Sequence, residues 1–157
     1  MKENRKSGMT FIVKMITNIM IGFMIVFGSY IVLFGHITPG GGFPGGVMIA
    51  LAYILVTLAY GRNIVERKVS GITASVVDDL GALAFWFIGI VGLCVGGEFL
   101  YNFLGKGKPF HIFSAGTIIL NNIAITLKVG MSLYAIFLAL AILGRVVTDK
   151  NERKDEQ

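Results

Sequence analysis

The segment Ile118–Leu143 reads IILNNIAITLKVGMSLYAIFLALAIL. An apolar stretch of this length is sufficient for a transmembrane helix, which needs about 20 residues to cross the hydrocarbon core of a bilayer. Lys128 lies inside the stretch. A charged amine at that depth costs about 3 kcal/mol on insertion scales and about 10 kcal/mol or more in simulations of an isolated helix. Such residues usually face protein and mark ion pathways, so the contacts of Lys128 are the central question.

The remaining composition is that of a membrane protein. Of 157 residues, 55% are hydrophobic and only 15% are charged, whereas soluble domains average about 25% charged residues. The single cysteine excludes an intrachain disulfide. The sequence predicts an all-α, polytopic membrane protein with four transmembrane helices in one domain, 1–157. The predicted spans are about 15–34, 44–60, 80–103 and 118–143, and 145–157 forms a charged, solvated tail.

The distribution of basic residues predicts the orientation. Lys and Arg concentrate at the N-terminus, in the connection between the second and third spans and in the tail, whereas the opposite side has Lys106 and Lys108. Because positively charged loops remain in the cytoplasm, we expect a multi-pass protein of the cell membrane with both termini cytoplasmic. The net charge of +5 therefore bears on orientation, and we expect no nucleic-acid partner.

Two glycine patterns suggest close backbone contacts. Residues 35–46 read GHITPGGGFPGG, which predicts a compact turn packed against protein or membrane, with Pro44 opening the next helix. No GK[ST] follows the glycines, so a phosphate-binding loop is excluded. In the third span, Gly89, Gly92 and Gly96 form a stripe typical of helix–helix packing.

The candidate ion-path residues are Lys128, Glu98, Asn121 and Ser132. Glu98 near the end of the third span would lean toward Lys128 if the third and fourth helices were antiparallel neighbours. Asn121 and Ser132 share a face with Lys128. Asp78 and Asp79 are interpreted as caps at the start of the third span. Two roles remain open for Lys128: a proton relay or cation gate, or a structural residue that pairs permanently or reaches the membrane surface.

Two stretches resemble a known family. GHITPGGGFPGG and Ser114–Gly130, SAGTIILNNIAITLKVG, are similar to the landmarks of the MnhB-type subunit of multisubunit cation/proton antiporters, the B subunit of Mrp antiporters. The resemblance assigns the family's structural motif to Pro39, Gly40, Gly41, Gly42, Phe43, Gly45 and Gly46. It implies a membrane subunit of a module that exchanges sodium for protons. It equally implies the homologous subunit, without a metal cluster, of archaeal membrane-bound hydrogenases and related respiratory complexes.

The expected partners are therefore other membrane subunits of an antiporter module, the lipid bilayer and, in the second setting, hydrogenase or related redox subunits. We expect no cofactor, with Na+ and H+ as the transported ions, and no catalytic residue, so the chain is not an enzyme by itself. His36 and His111 lack a third ligand for a metal site. Three hypotheses remain: an ion-translocating subunit that uses Lys128, a structural subunit that seals and positions its neighbours, and a stand-alone carrier or membrane enzyme.

Overall fold

The computed structural model describes residues 9–61, 65, 70–104, 107 and 115–155. These residues form four helices: α1 Phe11–Phe34, α2 Gly42–Tyr60, α3 Gly71–Gly96 and α4 Thr117–Asp155. Each contains a stretch long and apolar enough to cross a membrane, which in α4 is Thr117–Gly144. The described part of the chain contains no β-strand. The predicted all-α fold with four spans is confirmed.

The predicted bounds of the third span were wrong at both ends. α3 begins at Gly71 because the Ser70 side chain caps it, accepting a hydrogen bond from Thr73 N at 3.2 Å. It ends at Gly96 because Gly97 adopts a left-handed conformation with φ +75°. Asp78 therefore lies seven residues inside α3, about 10 Å from its start. The interpretation of Asp78 and Asp79 as helix caps was wrong.

The other helices are longer than predicted. α1 and α2 begin a few residues early, and α4 continues without a break through the tail that was predicted as solvated chain. The basic residues Lys2, Arg5, Lys6, Arg62, Arg67, Lys68, Lys106 and Lys108 lie outside the described residues, as does His111. The cytoplasmic orientation of the termini stays a prediction.

The helices pack around α2 and α4. α2 contacts α1 on one side and α4 on the other, while α3 packs mainly against α4. A small core forms where α2, α3 and α4 meet, with Ala74 and Tyr134 fully buried. The rings of Tyr53 and Tyr134 lie 5.7 Å apart within it. α4 therefore takes part in two separate helix contacts, one with α2 and one with α3.

The glycine-rich turn forms the first of these contacts. Gly41, which directly precedes α2, has φ +119°. Pro39 and Gly40 before it are exposed, and Phe43 in the first turn of α2 is 63% exposed. Gly42 and Gly46 face α4: a Cβ on Gly42 would lie 2.8 Å from Ile125 Cβ, and one on Gly46 would lie 3.0 Å from Thr126 O. Gly45 faces α1, with its Cβ position 3.1 Å from Gly28 O. The predicted close backbone approach is confirmed, since α1, α2 and α4 pass too near each other here for side chains.

Two polar side chains of α4 join the same three helices. Thr126 Oγ1 lies 3.0 Å from Gly42 O and 2.7 Å from Asn122 O, and its proton can donate to either. Asn122 Nδ2 donates to Val32 O at 3.4 Å. Hydrogen bonds of this kind between membrane helices contribute about 0.6 kcal/mol on average. These hydrogen bonds therefore determine which residues of the helices lie opposite each other, and they add little to the stability of the contact.

The stripe of Gly89, Gly92 and Gly96 has a different role from the one predicted. The chain folds back along α3 after Gly97, and the rings of Phe99 and Tyr101 occupy the space that Cβ atoms on Gly89 and Gly96 would need. A Cβ on Gly92 would lie 2.7 Å from Tyr101 N. The prediction of helix–helix packing at this stripe was wrong, because the partner is the segment that follows α3 itself.

We predict that Gly42→Val destabilises the protein by about 1–3 kcal/mol, the usual cost of forcing extra atoms into a packed site. The new side chain would collide with Asn122 and Ile125 of α4. The thermal stability of the purified protein or its complex, and its band on a native gel, measure the effect. Gly22→Val is the matched control, since no atom lies within 4 Å of that Cβ position. Equal stability of the two variants would contradict the prediction.

A second prediction concerns the start of α4, which a distant residue caps. Asn102 Oδ1 accepts hydrogen bonds from Thr117 N at 3.0 Å and Thr117 Oγ1 at 3.3 Å, and Asn102 Nδ2 donates to Ala115 O at 3.3 Å. Asn102→Ala should cost about 1 kcal/mol, the typical effect of removing a cap. Asn102→Asp keeps the acceptor and should retain most of the stability. A thermal melt in which both variants lose the same amount would show that the cap is unimportant.

Candidate functional site: an ion pair between two membrane helices

α3 and α4 come into backbone contact at Gly81. A Cβ on Gly81 would lie 2.7 Å from Lys128 N and 2.9 Å from Ala124 O, so glycine is required for this approach. Ala124 is 3% exposed on the facing side. Because residues three apart share a helix face, the same contact turns Asp78, one turn before Gly81, toward α4.

Lys128 and Asp78 form an ion pair across this contact. Lys128 Nζ lies 2.8 Å from Asp78 Oδ1. Ser132, one turn after Lys128, donates its hydroxyl to the same carboxylate oxygen at 3.0 Å. One carboxylate of α3 thus accepts both an ammonium and a hydroxyl from adjacent turns of α4. Such charge-assisted hydrogen bonds are stronger than neutral ones.

The pair lies well inside both membrane-length helices. Lys128 is eleven residues from the start of α4, about 16 Å, and Asp78 is about 10 Å from the start of α3. The Lys128 side chain is nevertheless 44% exposed in the isolated chain, and that of Asp78 is 21% exposed. Asp78 neutralises the amine, but the protein described here does not enclose it.

Glu98, which the sequence suggested as a possible neighbour of Lys128, does not contact it in this structure. Glu98 lies beyond the end of α3 on an exposed bend, because Gly97 terminates the helix before it. Ser132 shares the Lys128 face of α4, and its hydroxyl and the ammonium meet at the same Asp78 oxygen. Asn121 lies two turns before Lys128 on α4, and its buried Oδ1 forms no hydrogen bond with the described residues. Asn121 therefore takes no part in the ion pair.

The sequence did contain a signal for Asp78. Ser70 followed by Thr73 and an apolar run is an adequate helix start, which places Asp78 inside a span. A small residue three positions after an intramembrane acid, as at Gly81, favours close approach of a second helix on the same face. Among the described residues, no group of three His, Cys, Asp or Glu side chains could hold a metal ion.

Comparison with known proteins establishes the family. The domain described as related to the MnhB subunit of the Na+/H+ antiporter matches residues 12–135. The chain belongs to the MnhB family. The matched region contains the glycine-rich turn, Asp78, Lys128 and Ser132, so every residue of the ion pair lies inside the family domain.

Individual relatives agree with this assignment. The MnhB-family chain is 33% identical over 102 residues to a Staphylococcus epidermidis protein named as antiporter subunit mnhB2, covering 65% of this chain and 68% of the relative. It is 37% identical over 145 residues to an uncharacterized protein of Methanocaldococcus jannaschii, covering 85% of this chain and 53% of that protein. The chain therefore spans about half the length of the archaeal relative.

A solved structure shares the fold. The MnhB-family chain is similar to a chain in the membrane-bound sulfane sulfur reductase, an archaeal respiratory membrane complex, with a TM-score of 0.67 and 27% sequence identity. The similarity covers 86% of this chain and 61% of that chain. MnhB-type chains therefore occur both as named antiporter subunits and in a respiratory membrane complex.

We predict that Ser132→Ala has only a small effect. It removes one hydroxyl from Asp78 while leaving the Lys128 contact intact, so the loss should be about 0.6 kcal/mol, the average for a hydrogen bond between membrane helices. A thermal melt of the assembled protein measures it, with Ser132→Thr as the control that keeps the hydroxyl. A loss as large as that caused by removing Lys128 would show that Ser132 has a greater role than the geometry indicates.

Proposed function

We propose that this MnhB-family chain is a membrane subunit of a Mrp-type Na+/H+ antiporter module and that Lys128 contributes to ion translocation together with neighbouring subunits. The observation that supports this is the Lys128–Asp78 ion pair inside the membrane-spanning helices. Ionisable residues in such segments are rare and commonly belong to ion or proton pathways. The family membership supports sodium/proton antiport as the class of transport.

The geometry suggests how the pair could respond to an ion. A carboxylate and a hydroxyl are the kinds of oxygen ligand that hard cations prefer, and Asp78 and Ser132 bring both together at 3.0 Å. A cation that reached Asp78 would compete with the Lys128 ammonium for the same oxygen. The displaced ammonium stays on α4 with its charge, so this exchange requires a second acidic group, from a neighbouring subunit, to pair with the amine while the cation pairs with Asp78.

The module would operate in one of two settings. The staphylococcal relatives are named as antiporter subunits, whereas the solved relative belongs to a respiratory membrane complex. In the first setting the partners are other antiporter subunits; in the second, hydrogenase-type or related redox subunits supply the energy. In both, the chain would be non-catalytic and would lie in the cell membrane with its termini in the cytoplasm.

A structural role is the second candidate. The ammonium, the hydroxyl and the carboxylate satisfy one another without any ion, and close contacts at Gly42, Gly46 and Gly81 hold the helices in a fixed arrangement. A subunit built in this way could seal and position ion-translocating neighbours while carrying no ion itself. The ion pair would then stabilise the α3–α4 contact only.

The two candidates predict different results for Lys128→Met, Asp78→Asn and the double variant. Lys128→Met alone should weaken assembly, because it leaves the Asp78 carboxylate without its cation inside a membrane-length helix. Removing one partner of a fully buried pair costs about 3–5 kcal/mol, and the cost here should be smaller because the Lys128 side chain is 44% exposed. The double variant removes both charges of the pair and should recover part of the lost assembly. Native gels measure assembly, and sodium-dependent proton movement in membrane vesicles, normalised to the amount of complex, measures transport.

If Lys128 contributes to translocation, the assembled double variant transports at the background of vesicles without the complex. Restored assembly together with restored transport would support the structural candidate instead. Normal transport by Lys128→Met alone would reject any requirement for the amine.

A further inference from the structure

One side of α3 lacks a helical neighbour within the described chain. α3 packs mainly against α4 and has at most slight contact with α1 and α2. Its outward side chains include large apolar residues, among them Trp86 at 57% and Phe87 at 59% exposure. In a polytopic membrane protein such a surface faces either lipid or another subunit.

A groove between α3 and α4 distinguishes between lipid and another subunit as the neighbour of this surface. Gly81 and Ala82 of α3 and Ala124 of α4 leave a depression of about 330 Å³, completed by Phe85, Trp86, Ile125 and Lys128. Its lining is apolar apart from the lysine. Gly81 and Ala124 form the buried floor where α3 and α4 touch, so an approaching helix would lie over Ala82 and between the larger side chains.

Lys128 makes lipid an unsuitable occupant of this groove. Its side chain is 44% exposed, and the contact with Asp78 accounts for one of three ammonium N–H groups. Ionisable groups within membranes almost always face protein or a hydrated cavity. Acyl chains offer no hydrogen-bond acceptor, whereas a polar side chain on a neighbouring helix does. Asp78 compensates for the charge but does not satisfy the remaining donors.

We propose that this groove seats a transmembrane helix of another subunit, and that this helix presents an acidic side chain to the exposed part of the Lys128 ammonium. An acidic group fits because it both accepts hydrogen bonds and carries the charge opposite to that of the amine. A helix fits because it satisfies its own backbone hydrogen bonds at membrane depth. The inference rests on the proposed membership in a multisubunit module, but it does not require Lys128 to move ions.

Site-specific photocrosslinking in the intact complex tests the docking. A photoreactive phenylalanine derivative replaces Trp86, which lines the groove, and the matched control replaces Phe87, which has nearly the same exposure but does not line it. We expect position 86 to crosslink a membrane subunit at several times the yield of position 87. Mass spectrometry of the crosslinked peptide should then find a hydrophobic segment with Asp or Glu within about one helical turn of the attachment point.

A second groove position, Phe85, replaces Trp86 if the first variant does not assemble. Crosslinks to lipid alone, no crosslink in an assembled complex, or a crosslinked segment without an acidic residue would each overturn the proposal. Failure of docking is distinguishable from failure of the proposed function, because crosslinking is independent of transport. A complex that crosslinks from position 86 but transports normally with Lys128→Met would retain the docking surface and reject the role of the amine.

Discussion

The ion pair between Lys128 and Asp78 is the interaction on which the rest of the structure depends. An amine placed about 16 Å along a membrane helix must be compensated by protein, and the compensation comes from a carboxylate 2.8 Å away on the adjacent helix. Gly81 makes this possible, because only a residue without a side chain lets α3 approach the backbone of α4 so closely. The two charges can therefore pair only because α3 and α4 are in close contact, and that contact holds the two side chains opposite each other.

α4 connects this pair to the glycine-rich turn. Thr126 on one side of α4 bonds to Gly42 at the start of α2, while Lys128, two residues later and on nearly the opposite face, bonds to Asp78 of α3. A displacement of α4 would thus disturb both the Thr126–Gly42 hydrogen bond and the Lys128–Asp78 ion pair. This arrangement links two stretches that are far apart in the chain, since the glycine-rich turn and α3 together hold α4 in position.

The sequence was sufficient for the fold class and for the presence of a charged amine inside a membrane-length helix, because long apolar runs and a lysine within one of them are local signals. It was insufficient for the partner of Lys128, which depended on where α3 begins and ends. Ser70 and Gly97 set the bounds of that helix at Gly71 and Gly96, which places Asp78 inside the membrane-length helix and Glu98 beyond its end. The glycine stripe was misinterpreted because the same spacing of glycines suits two kinds of neighbour. Here the neighbour is the segment after α3, which folds back along its own helix, and not a second helix.

The most direct measurement of the central claim is a density map of the assembled complex at a resolution that shows side chains. The account predicts that the Lys128 ammonium lies within hydrogen-bonding distance of the Asp78 carboxylate and that protein or ordered water shields its remaining side from lipid. An amine that extends into acyl chains, or that pairs with another group while Asp78 faces elsewhere, would contradict it.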